Sequence, residues 1–365
     1  MVLVNPSQAA SSASLPPTPV TVELLVEIWR SVLKRSSLGL DDDFFQMGGS
    51  IRSADLLFAE IAQKLGRELP TATIFQAPTI ASLASLLDQP VLPRFSPFIQ
   101  LRAGVQHPKI LIAPGLDGRA SFSRLAQLVR TDHPIYGIQA KGVDGMEEPL
   151  DRIEDMAQFY LEKLDGLQPQ GPYMLIGYSF GGLVALELAQ RLLRERKKIA
   201  LLVMVDSYPH PRYLSTRQRL VLSAQRTKNR ILEIQQRQIR GGISYLMEGI
   251  KRRWDLAGLG SSGTRIPKAS DLSLAQTTPL VKRKAYAALA RYRPQPYAGK
   301  IMFVKSETDT YFPGDPVPVW AHLAAAFEVE TVRGSHLDMV TTHFEALATV
   351  LTRYLNLPAL KGGDS

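Results

Sequence analysis

The chain has 365 residues, which is enough for about two domains of ordinary size, and 45% of its residues are hydrophobic and 21% charged. This composition is typical of a folded globular protein and excludes collagen-like, coiled-coil and wholly disordered chains. Cysteine is absent, which excludes disulfide bonds, thiolate metal sites and a cysteine nucleophile. Any covalent catalysis must therefore use another residue.

Signals for membranes and for secretion are missing from the sequence. The longest purely apolar run, Ile199 to Val205, is far shorter than the roughly 20 residues that cross a bilayer. The first residues have neither the basic nor the apolar segment of a secretory signal. We therefore expect a cytoplasmic protein that has no membrane partner.

The formal net charge of +9 is concentrated in one region. Residues 210–286 contain sixteen Lys and Arg against four Asp and Glu, whereas residues 20–90 contain six basic and nine acidic residues. The basic region has no nucleic-acid recognition motif, so we expect no nucleic-acid partner. Its charge either speeds encounter with the acidic region or belongs to ordinary solvated helix faces.

The first part of the chain is expected to be a small helical domain. Residues 1–19 are rich in Pro, Ser and Ala and predict a flexible leader. Apolar residues recur at helical spacing in Val22 to Leu33, Asp55 to Leu65 and Ile80 to Leu87. Three or four short helices without a strand pattern predict a small all-α four-helix bundle over residues 20–90. The proline-containing residues 91–99 predict a linker.

The second part of the chain, residues 100–358, has the pattern of a parallel sheet. Short apolar runs typical of buried parallel strands alternate with amphipathic helical stretches. The runs are Lys109 to Ala113, Pro134 to Ile138, Tyr173 to Tyr178, Ala200 to Asp206, Lys300 to Val304 and Phe327 to Val332. They predict a doubly wound, mostly parallel sheet whose active site lies beyond the carboxyl ends of its strands. Residues 208–285 have a helical pattern without a strand and predict a helical lid, and residues 359–365 predict a tail.

A serine motif stands between a predicted strand and a predicted helix. Gly177-Tyr178-Ser179-Phe180-Gly181 follows the run that ends at Tyr178 and precedes a stretch rich in Leu, Ala and Glu. In an α/β-hydrolase this order places a strained serine in a sharp turn, with its Oγ exposed above the sheet. Ser179 is therefore the candidate nucleophile. The alternative is a serine that only caps the helix.

A serine nucleophile needs a base and an acid, which in this fold follow it in the order Ser, Asp, His at the ends of later strands. His336 lies just after the last predicted strand and is the candidate base. Two aspartates follow strands, and of these Asp206 is preferred to Asp309 as the acid. Asp338 is too near His336 in sequence to orient it and is interpreted as a solvated or salt-bridged carboxylate.

Acyl transfer also needs N–H donors for the oxyanion. One is normally the amide after the nucleophile, which here is that of Phe180. The second comes from the loop after the first predicted strand, where the Gly115 amide is the best candidate because glycine allows close backbone approach. The alternative for this loop is a simple turn between a strand and a helix.

With these motifs in place, the chain between residues 20 and 357 resembles the carrier and thioesterase end of a nonribosomal peptide synthetase. Four segments resemble the type I thioesterase pattern: Tyr136 to Asp144, Pro172 to Gly182, Leu201 to Ser207 and Gly334 to Met339. The resemblance implies an α/β-hydrolase thioesterase domain over residues 100–358. The family places its acid at the position of Asp206, which strengthens the preference for that residue.

The first domain resembles a peptidyl carrier domain. Asp43 to Ile51 is similar to the loop that bears the phosphopantetheine serine, and Glu68 to Pro78 is similar to a later carrier loop. The resemblance implies that Ser50 carries a covalent 4'-phosphopantetheine and that a phosphopantetheinyl transferase attaches it. The family usually has one more residue between the second glycine and this serine. A plain helix-capping serine is the alternative.

The resemblance implies a carrier–thioesterase didomain of nonribosomal peptide or polyketide biosynthesis. An acyl or peptidyl thioester on the phosphopantetheine arm of Ser50 would pass to Ser179 and leave by hydrolysis or cyclisation, without a metal. The sequence has no adenylation, condensation or ketosynthase region. We therefore expect another enzyme upstream to load the acyl group in trans, or the chain to be the detached end of a larger synthetase.

Two other interpretations stay open. In the first, the chain is a stand-alone α/β-hydrolase esterase whose carrier-like domain is inactive. In the second, the hydrolase domain is catalytically idle and the chain is a binding module. Comparable rates on carrier-bound and free esters would favour the first, and a Ser179→Ala variant with unchanged product release would favour the second.

Overall fold

The computed structural model describes residues 19–67, 69, 71–75, 77–89, 96–120, 122–145, 147–224, 227, 274–308 and 312–357. The chain divides into two compact units, Met1–Phe95 and Ser96–Ser365. The predicted leader up to residue 18, the predicted tail and residues 228–273 of the predicted lid lie outside the described residues. Within the described ranges, none of the helices has the length and apolar character needed to span a membrane.

The first unit is helical. Its elements are α1 Pro19–Leu33, α2 Ile51–Leu65, a 3-10 helix Thr71–Phe75 and α3 Ile80–Leu87. Helix α1 packs against both α2 and α3. In the described residues a 3-10 helix thus stands where the predicted bundle has its fourth helix. Three of its five residues are β-branched and Pro78 follows closely, and both features disfavour a longer helix.

Three side chains of α1 belong to the core of the first unit. Leu25, Ile28 and Trp29 are fully buried. The Trp29 ring meets the edge of the Phe44 ring, with centroids 5.1 Å apart. Since Phe44 belongs to the loop between α1 and α2, this aromatic contact holds the loop against the core.

The described residues of the second unit form a seven-stranded sheet in the order β1-β3-β2-β4-β5-β6-β7. The strands are β1 Phe98–Arg102, β2 Ile110–Ala113, β3 Ile135–Ile138, β4 Tyr173–Tyr178, β5 Ile199–Val205, β6 Tyr297–Ser306 and β7 Ala324–Val332. Strand β1 runs antiparallel to β3, and every other neighbouring pair is parallel. This is the α/β-hydrolase-like fold with a mostly parallel sheet that the sequence predicts.

Strand β1 differs from the sequence prediction. The prediction places Phe98 and Ile99 in the linker, but both lie in β1 and pair with Ile138 and Gly137 of β3. The prolines of this region end at Pro97, directly before the strand. An antiparallel edge strand needs no helical crossover, so the alternation of strand and helix that marks the other strands does not reveal it.

Helices cover both faces of the sheet. They are α4 Ser123–Leu128, α5 Ile153–Leu164, α6 Phe180–Arg194, α7 Leu274–Arg291, α8 Val317–Trp320 and α9 Phe344–Leu355. Helices α5 and α6 pack on one face, and α4 and α9 pack on the other. Alternate residues of a strand point to opposite faces of the sheet. Leu175 of β4 therefore packs in the core beneath α5 and α6, whereas Met174 and Ile176 pack in the core beneath α4 and α9.

The predicted lid, residues 208–285, is described in part. Residues 211–213 form a 3-10 helix, residues 216–224 are helical, and α7 forms the other end. Helix α7 continues to Arg291, beyond the predicted end of the lid. Two ion pairs tie it to the segment before α5: Lys284 to Glu148 at 2.9 Å and Arg291 to Asp151 at 2.9 Å.

Candidate active site

Ser179 stands in the turn between β4 and α6, where the motif predicts a nucleophile. Its backbone dihedrals are φ 54° and ψ −120°. For a residue with a Cβ, such a conformation costs roughly 1–3 kcal/mol and persists only where the surrounding structure imposes it. The side chain makes no capping hydrogen bond to α6. The hydroxyl is therefore turned away from its own helix and is available to another group.

Two glycines make this turn possible. A Cβ on Gly177 would overlap the backbone of Gly181, and a Cβ on Gly181 would stand 2.6 Å from the carbonyl oxygen of Ala113. Neither position admits a side chain without a shift of the backbone. The glycines therefore let α6 begin directly against the ends of β2 and β4, with Ser179 at the tip of the turn.

His336 joins Ser179 to Asp206. Its Nε2 lies 3.1 Å from the Oγ of Ser179, and its Nδ1 lies 3.0 Å from Oδ2 of Asp206. With the proton on Nδ1, the imidazole donates to the carboxylate, and Nε2 accepts from the serine hydroxyl. The structure thus brings the three predicted residues into one hydrogen-bond chain.

Asp206 is held by the neighbouring strand. It follows β5, is 2% exposed and has φ 48°. Its backbone N–H donates to the carbonyl of Val304 at 2.7 Å. Ser306 donates to the carboxylate twice, from its backbone N–H to Oδ1 at 3.2 Å and from its Oγ to Oδ2 at 2.8 Å. Together with the donor from His336, these bonds satisfy and orient a buried carboxylate.

The sequence prediction does not include Ser306. The predicted strand ends at Val304, whereas β6 continues to Ser306, which places this serine at the carboxyl end of the strand beside Asp206. A polar residue at the carboxyl end of a buried parallel strand is the signal that could have found it. The alternative acid, Asp309, lies outside the described residues.

Two aromatic rings contact the imidazole of His336. The ring of Tyr178 stacks on it, with centroids 4.7 Å apart and 22° between the planes, and the ring of Phe312 meets it edge-on at 4.8 Å. The Tyr178 hydroxyl donates to the backbone carbonyl of His336 at 2.6 Å. Burial and, secondly, the negative charge of Asp206 raise the pKa of the Tyr178 phenol.

Asp338 holds the loop that carries His336. Its Oδ2 accepts from the N–H of Ser335 at 2.9 Å, and its backbone carbonyl accepts from the N–H of His343 at 2.7 Å. Hydrogen bonds from the side chain and backbone of Ser335 lower the pKa of the Asp338 carboxyl. Asp338 therefore acts on the loop, whereas Asp206 contacts the imidazole.

Gly115 and Phe180, the two predicted oxyanion donors, line the same small cavity, which has a volume of about 10 Å³. Apolar side chains form much of the rest of its lining, among them Leu150, Met156 and Val281. Phe180 is the first residue of α6, and the N-terminus of a helix favours negative charge. The two predicted donors thus share one cavity, and one of them follows Ser179 directly.

Ser50 is the N-cap residue of α2 and is exposed. Its Oγ accepts from the N–H of Ser53 at 3.1 Å, and its own N–H donates to the Oγ of Ser53 at 2.7 Å. This reciprocal pair is a capping box, and it fixes the start of the helix. Ser50 therefore caps α2, which is the alternative role that the sequence leaves open for it. It nevertheless remains exposed at the surface.

The loop before Ser50 is closed by Asp43 and two glycines. Oδ1 of Asp43 accepts from two N–H groups of the following turn, at 2.9 and 3.1 Å. Gly48 has φ 97°, which favours glycine, and a Cβ on Gly49 would overlap the ring of Phe44. The loop thus presents an exposed hydroxyl at a helix N-terminus, where N–H groups favour the oxygens of a phosphodiester. These residues fit a covalent phosphopantetheine.

Two family models match the chain. The model of the thioesterase domain matches residues 109–355, and the model of the phosphopantetheine attachment site matches residues 23–87. The chain belongs to the thioesterase family. It is a carrier–thioesterase didomain whose second unit is a thioesterase hydrolase, and its carrier unit implies a covalent 4'-phosphopantetheine. The family resemblance found in the sequence is confirmed.

Curated relatives of the didomain include synthases and synthetases. A dimodular nonribosomal peptide synthase of Bacillus subtilis (strain 168) is 34% identical over 212 residues, which is 57% of this chain and 9% of that protein. An indigoidine synthase of Dickeya dadantii (strain 3937) is 38% identical over 169 residues, 46% of this chain and 11% of that protein. A malpibaldin synthetase of Mortierella alpina is 27% identical over 338 residues, 91% of this chain and 6% of that protein. The didomain thus spans a small part of the length of each relative.

A solved structure has the same fold as the didomain. It is the holo form of a four-domain nonribosomal peptide synthetase bound to AMP and glycine. The TM-score is 0.52 at 21% identity, over 96% of this chain and 27% of that chain. At this identity the likeness shows the fold alone.

Proposed function

We propose that the didomain releases an acyl or peptidyl chain from a thioester in nonribosomal peptide or polyketide biosynthesis. The observation that carries the proposal is the hydrogen-bond chain from Ser179 through His336 to Asp206, with distances of 3.1 and 3.0 Å. A serine nucleophile, a general base and an orienting acid have this arrangement. The substrate class is taken from the carrier unit in the same chain and from the synthetases that the chain resembles.

In the first half of the proposed reaction, Ser179 Oγ attacks the carbonyl carbon of the thioester. Nε2 of His336 takes the hydroxyl proton as the C–O bond forms, and Asp206 stabilises the resulting imidazolium. The N–H groups of Gly115 and Phe180 donate to the oxyanion. When the C–S bond breaks, His336 returns the proton to the sulfur, which leaves as a thiol. The acyl group is then an ester of Ser179.

In the second half, water or a nucleophile within the acyl chain attacks the ester carbonyl. His336 takes the proton of this nucleophile and gives it to Ser179 Oγ when the C–O bond to the serine breaks. Water yields a free acid, and an internal nucleophile yields a ring. Hydrolysis and cyclisation therefore differ only in the attacking group, and the serine is regenerated in both.

We assign the covalent 4'-phosphopantetheine of the carrier unit to Ser50. When bound, this group supplies the thiol on which an acyl chain is held as a thioester. Ser50 suits the attachment because it is exposed at the start of α2, and Ser53 Oγ accepts from the Ser50 N–H whether or not the Ser50 hydroxyl is esterified. The proposed partners are a phosphopantetheinyl transferase and an upstream adenylation, condensation or other acyl-loading enzyme.

We also propose that residues 20–90 act as a four-helix carrier bundle and that the protein works in the cytoplasm. Residues 208–285 are proposed to act as a helical lid. Val281 and Ala285 of α7 line the cavity that Gly115 and Phe180 share, which supports a lid that borders the oxyanion site. The apolar character of these two side chains would help to keep water from the reacting carbonyl.

The release activity is tested with the full chain and a soluble acyl thioester of N-acetylcysteamine. We expect wild-type protein to release the thiol, and Ser179→Ala to be slower by about 10⁴-fold or more because the acyl-enzyme route is closed. The corresponding oxygen ester is the control substrate and should react more slowly. Equal rates on the two esters would favour a general esterase, and an unchanged rate in Ser179→Ala would exclude the proposed nucleophile.

The carrier assignment has a separate test, which is peptide-level mass spectrometry after incubation with coenzyme A and a phosphopantetheinyl transferase. We expect one phosphopantetheine on the peptide that contains Ser50 and none in Ser50→Ala. The matched control is Ser82→Ala, which removes the corresponding serine from the capping box of α3 and whose loading should be unchanged. Loading that persists in Ser50→Ala would place the group elsewhere, and no loading of the wild type would contradict a working carrier.

A further inference from the structure

His336 is carried by an irregular loop, although its ring must keep a fixed place. The loop runs from the end of β7 at Val332 to the start of α9 at Phe344. A helix or a strand holds its side chains in well-defined positions. A side chain on a loop keeps an equally fixed position only when neighbouring groups hold it. The hydrogen bonds of His336 to Ser179 and Asp206 hold the edge of the ring, whereas the face of the ring and the backbone beneath it need other contacts.

Tyr178 contacts both of these parts of His336. Its ring lies nearly parallel to the imidazole, with centroids 4.7 Å apart and 22° between the planes. Its hydroxyl donates to the His336 carbonyl at 2.6 Å, which is a short bond for a hydroxyl donor and a carbonyl. One side chain thus supports the face of the imidazole and also holds the backbone that carries it.

Tyr178 is itself well anchored. It is the last residue of β4 and pairs with Val205 of β5, so its backbone belongs to the centre of the sheet. The ring of Phe122 packs against it in a T-shaped arrangement, with centroids 6.3 Å apart. Its hydroxyl is protonated at neutral pH, as that of any tyrosine is, and burial raises the phenol pKa further. The contact with His336 thus connects a loop to a central strand of the sheet.

We propose that Tyr178 is a positioning residue for the general base, whose ring supports the His336 imidazole and whose hydroxyl holds the His336 carbonyl. The inference rests on the proposed function, since it needs His336 to be the base. The ring has a second effect, because the face of an aromatic ring attracts a cation. His336 becomes an imidazolium cation when it takes the transferred proton, so this attraction favours the charged state that forms during the reaction.

Two substitutions separate the two contacts of Tyr178. Tyr178→Phe keeps the ring and removes the hydroxyl, and Tyr178→Leu removes both. With a soluble acyl thioester, we expect kcat to fall about 3- to 10-fold in Tyr178→Phe and about 10- to 100-fold in Tyr178→Leu. KM should change by less than about twofold in Tyr178→Phe, because the hydroxyl acts on the base and not on the substrate.

Tyr173→Phe is the matched control. Tyr173 begins the strand that Tyr178 ends, and its buried hydroxyl also donates to a backbone carbonyl, that of Gln168 at 3.1 Å. We expect Tyr173→Phe to lower Tm and to leave kcat unchanged. The inference is overturned if Tyr178→Phe has the kcat of Tyr173→Phe. Since Tyr178→Phe retains the packed ring, it should fold even if Tyr178→Leu does not.

The His336→Ala background distinguishes positioning from a general structural effect. If Tyr178 acts through the imidazole, Tyr178→Phe should not lower the residual rate of His336→Ala any further. The same proportional loss in both backgrounds would overturn the inference and leave the assignment of the base intact. A wild-type rate in His336→Ala would instead overturn the proposed function, and the inference with it.

Discussion

Ser50 and Ser179 occupy the same place relative to their helices, yet their hydroxyls have different surroundings. Each serine directly precedes an α-helix of 15 residues, and a glycine lies within two residues before it in the sequence. Ser50 has an extended backbone and caps its own helix, whereas Ser179 has φ 54° and does not. The backbone therefore decides whether a serine at the start of a helix stabilises that helix or is presented to another group.

The two hydroxyls also differ in whether a base lies next to them. The Ser179 hydroxyl lies 3.1 Å from the Nε2 of His336, which can take its proton. The Ser50 hydroxyl lies 3.0 Å from the Ser53 hydroxyl, which is not a base at neutral pH. We therefore expect Ser179 to react by itself and Ser50 to need another enzyme for its modification.

Replacement of His336, the proposed base, should have the largest effect on the difference between the two serines. We expect His336→Ala to lower kcat on a soluble thioester by about 10⁴- to 10⁶-fold, because the serine proton then has no acceptor. The loading of Ser50 by a phosphopantetheinyl transferase should be unchanged in the same variant. His343→Ala is the control, since His343 is exposed in the following part of the same loop. A loss confined to His343→Ala would show that the wrong histidine has been assigned.

Replacement of Asp206, the proposed acid, should have the next largest effect. In Asp206→Asn, an amide replaces a carboxylate that accepts from both Ser306 and the Nδ1 of His336. We expect kcat to fall about 10²- to 10⁴-fold, because the amide cannot hold the imidazole in the same tautomer. Steady-state kinetics on the soluble thioester measures the loss. A decrease of less than about tenfold would point to a different acid, for which Asp309 is the candidate.

Substitution of a glycine near Ser179 and of one near Ser50 should have smaller effects, which differ in whether thioester hydrolysis is reduced. A Cβ on Gly181 would stand 2.6 Å from the Ala113 carbonyl oxygen, whereas Gly48 has φ 97° and nothing within 4 Å of the added atom. We expect Gly181→Ala to cost about 1–3 kcal/mol and to reduce thioester hydrolysis. Gly48→Ala should cost about 1 kcal/mol and leave hydrolysis unchanged. Denaturant unfolding and kinetics measure both variants, and equal losses of hydrolysis would contradict the difference drawn between the turns.

The smallest expected effect concerns Asp338 and pH. Its pKa is lower in the folded protein than the value of about 3.9 of an unfolded aspartate, because Ser335 donates to it. A carboxyl with a lowered folded pKa stabilises the protein above its unfolded pKa, and this stabilisation is lost as pH falls through the folded pKa. We therefore expect Asp338→Asn to have a lower Tm than wild type at neutral pH, with a difference that shrinks below about pH 4. A Tm difference that stays constant down to about pH 3 would show that the carboxylate charge is not involved.

The positions of Ser179, Asp206 and His336 follow from rules that act along the sequence. A strand, a glycine-rich turn and a helix occur in order around Ser179, and parallel strands bring their carboxyl ends to one edge of the sheet. Strands β4 and β5 are neighbours, so residues that follow them lie close together. The three side chains could therefore be predicted without knowledge of any long-range contact.

Other features depend on contacts that no local pattern reveals. The bond between the Tyr178 hydroxyl and the His336 carbonyl joins residues 158 positions apart. Ser306 bonds to Asp206 because β6 extends beyond its apolar run, and this extension depends on pairing with β7. Strand β1 is likewise defined by its pairing with β3 and not by its own composition. Each of these features is fixed by a partner strand or loop, which is why the sequence prediction lacks it.

We infer that Ser179, and not Ser50, is the activated serine of the chain. The most direct measurement is peptide-level mass spectrometry of the full chain after reaction with a fluorophosphonate, which labels serines that a neighbouring base has activated. We expect one adduct on the peptide that contains Ser179, none on the peptide that contains Ser50, and no adduct in His336→Ala. A label on Ser50, or undiminished labelling in His336→Ala, would contradict this assignment.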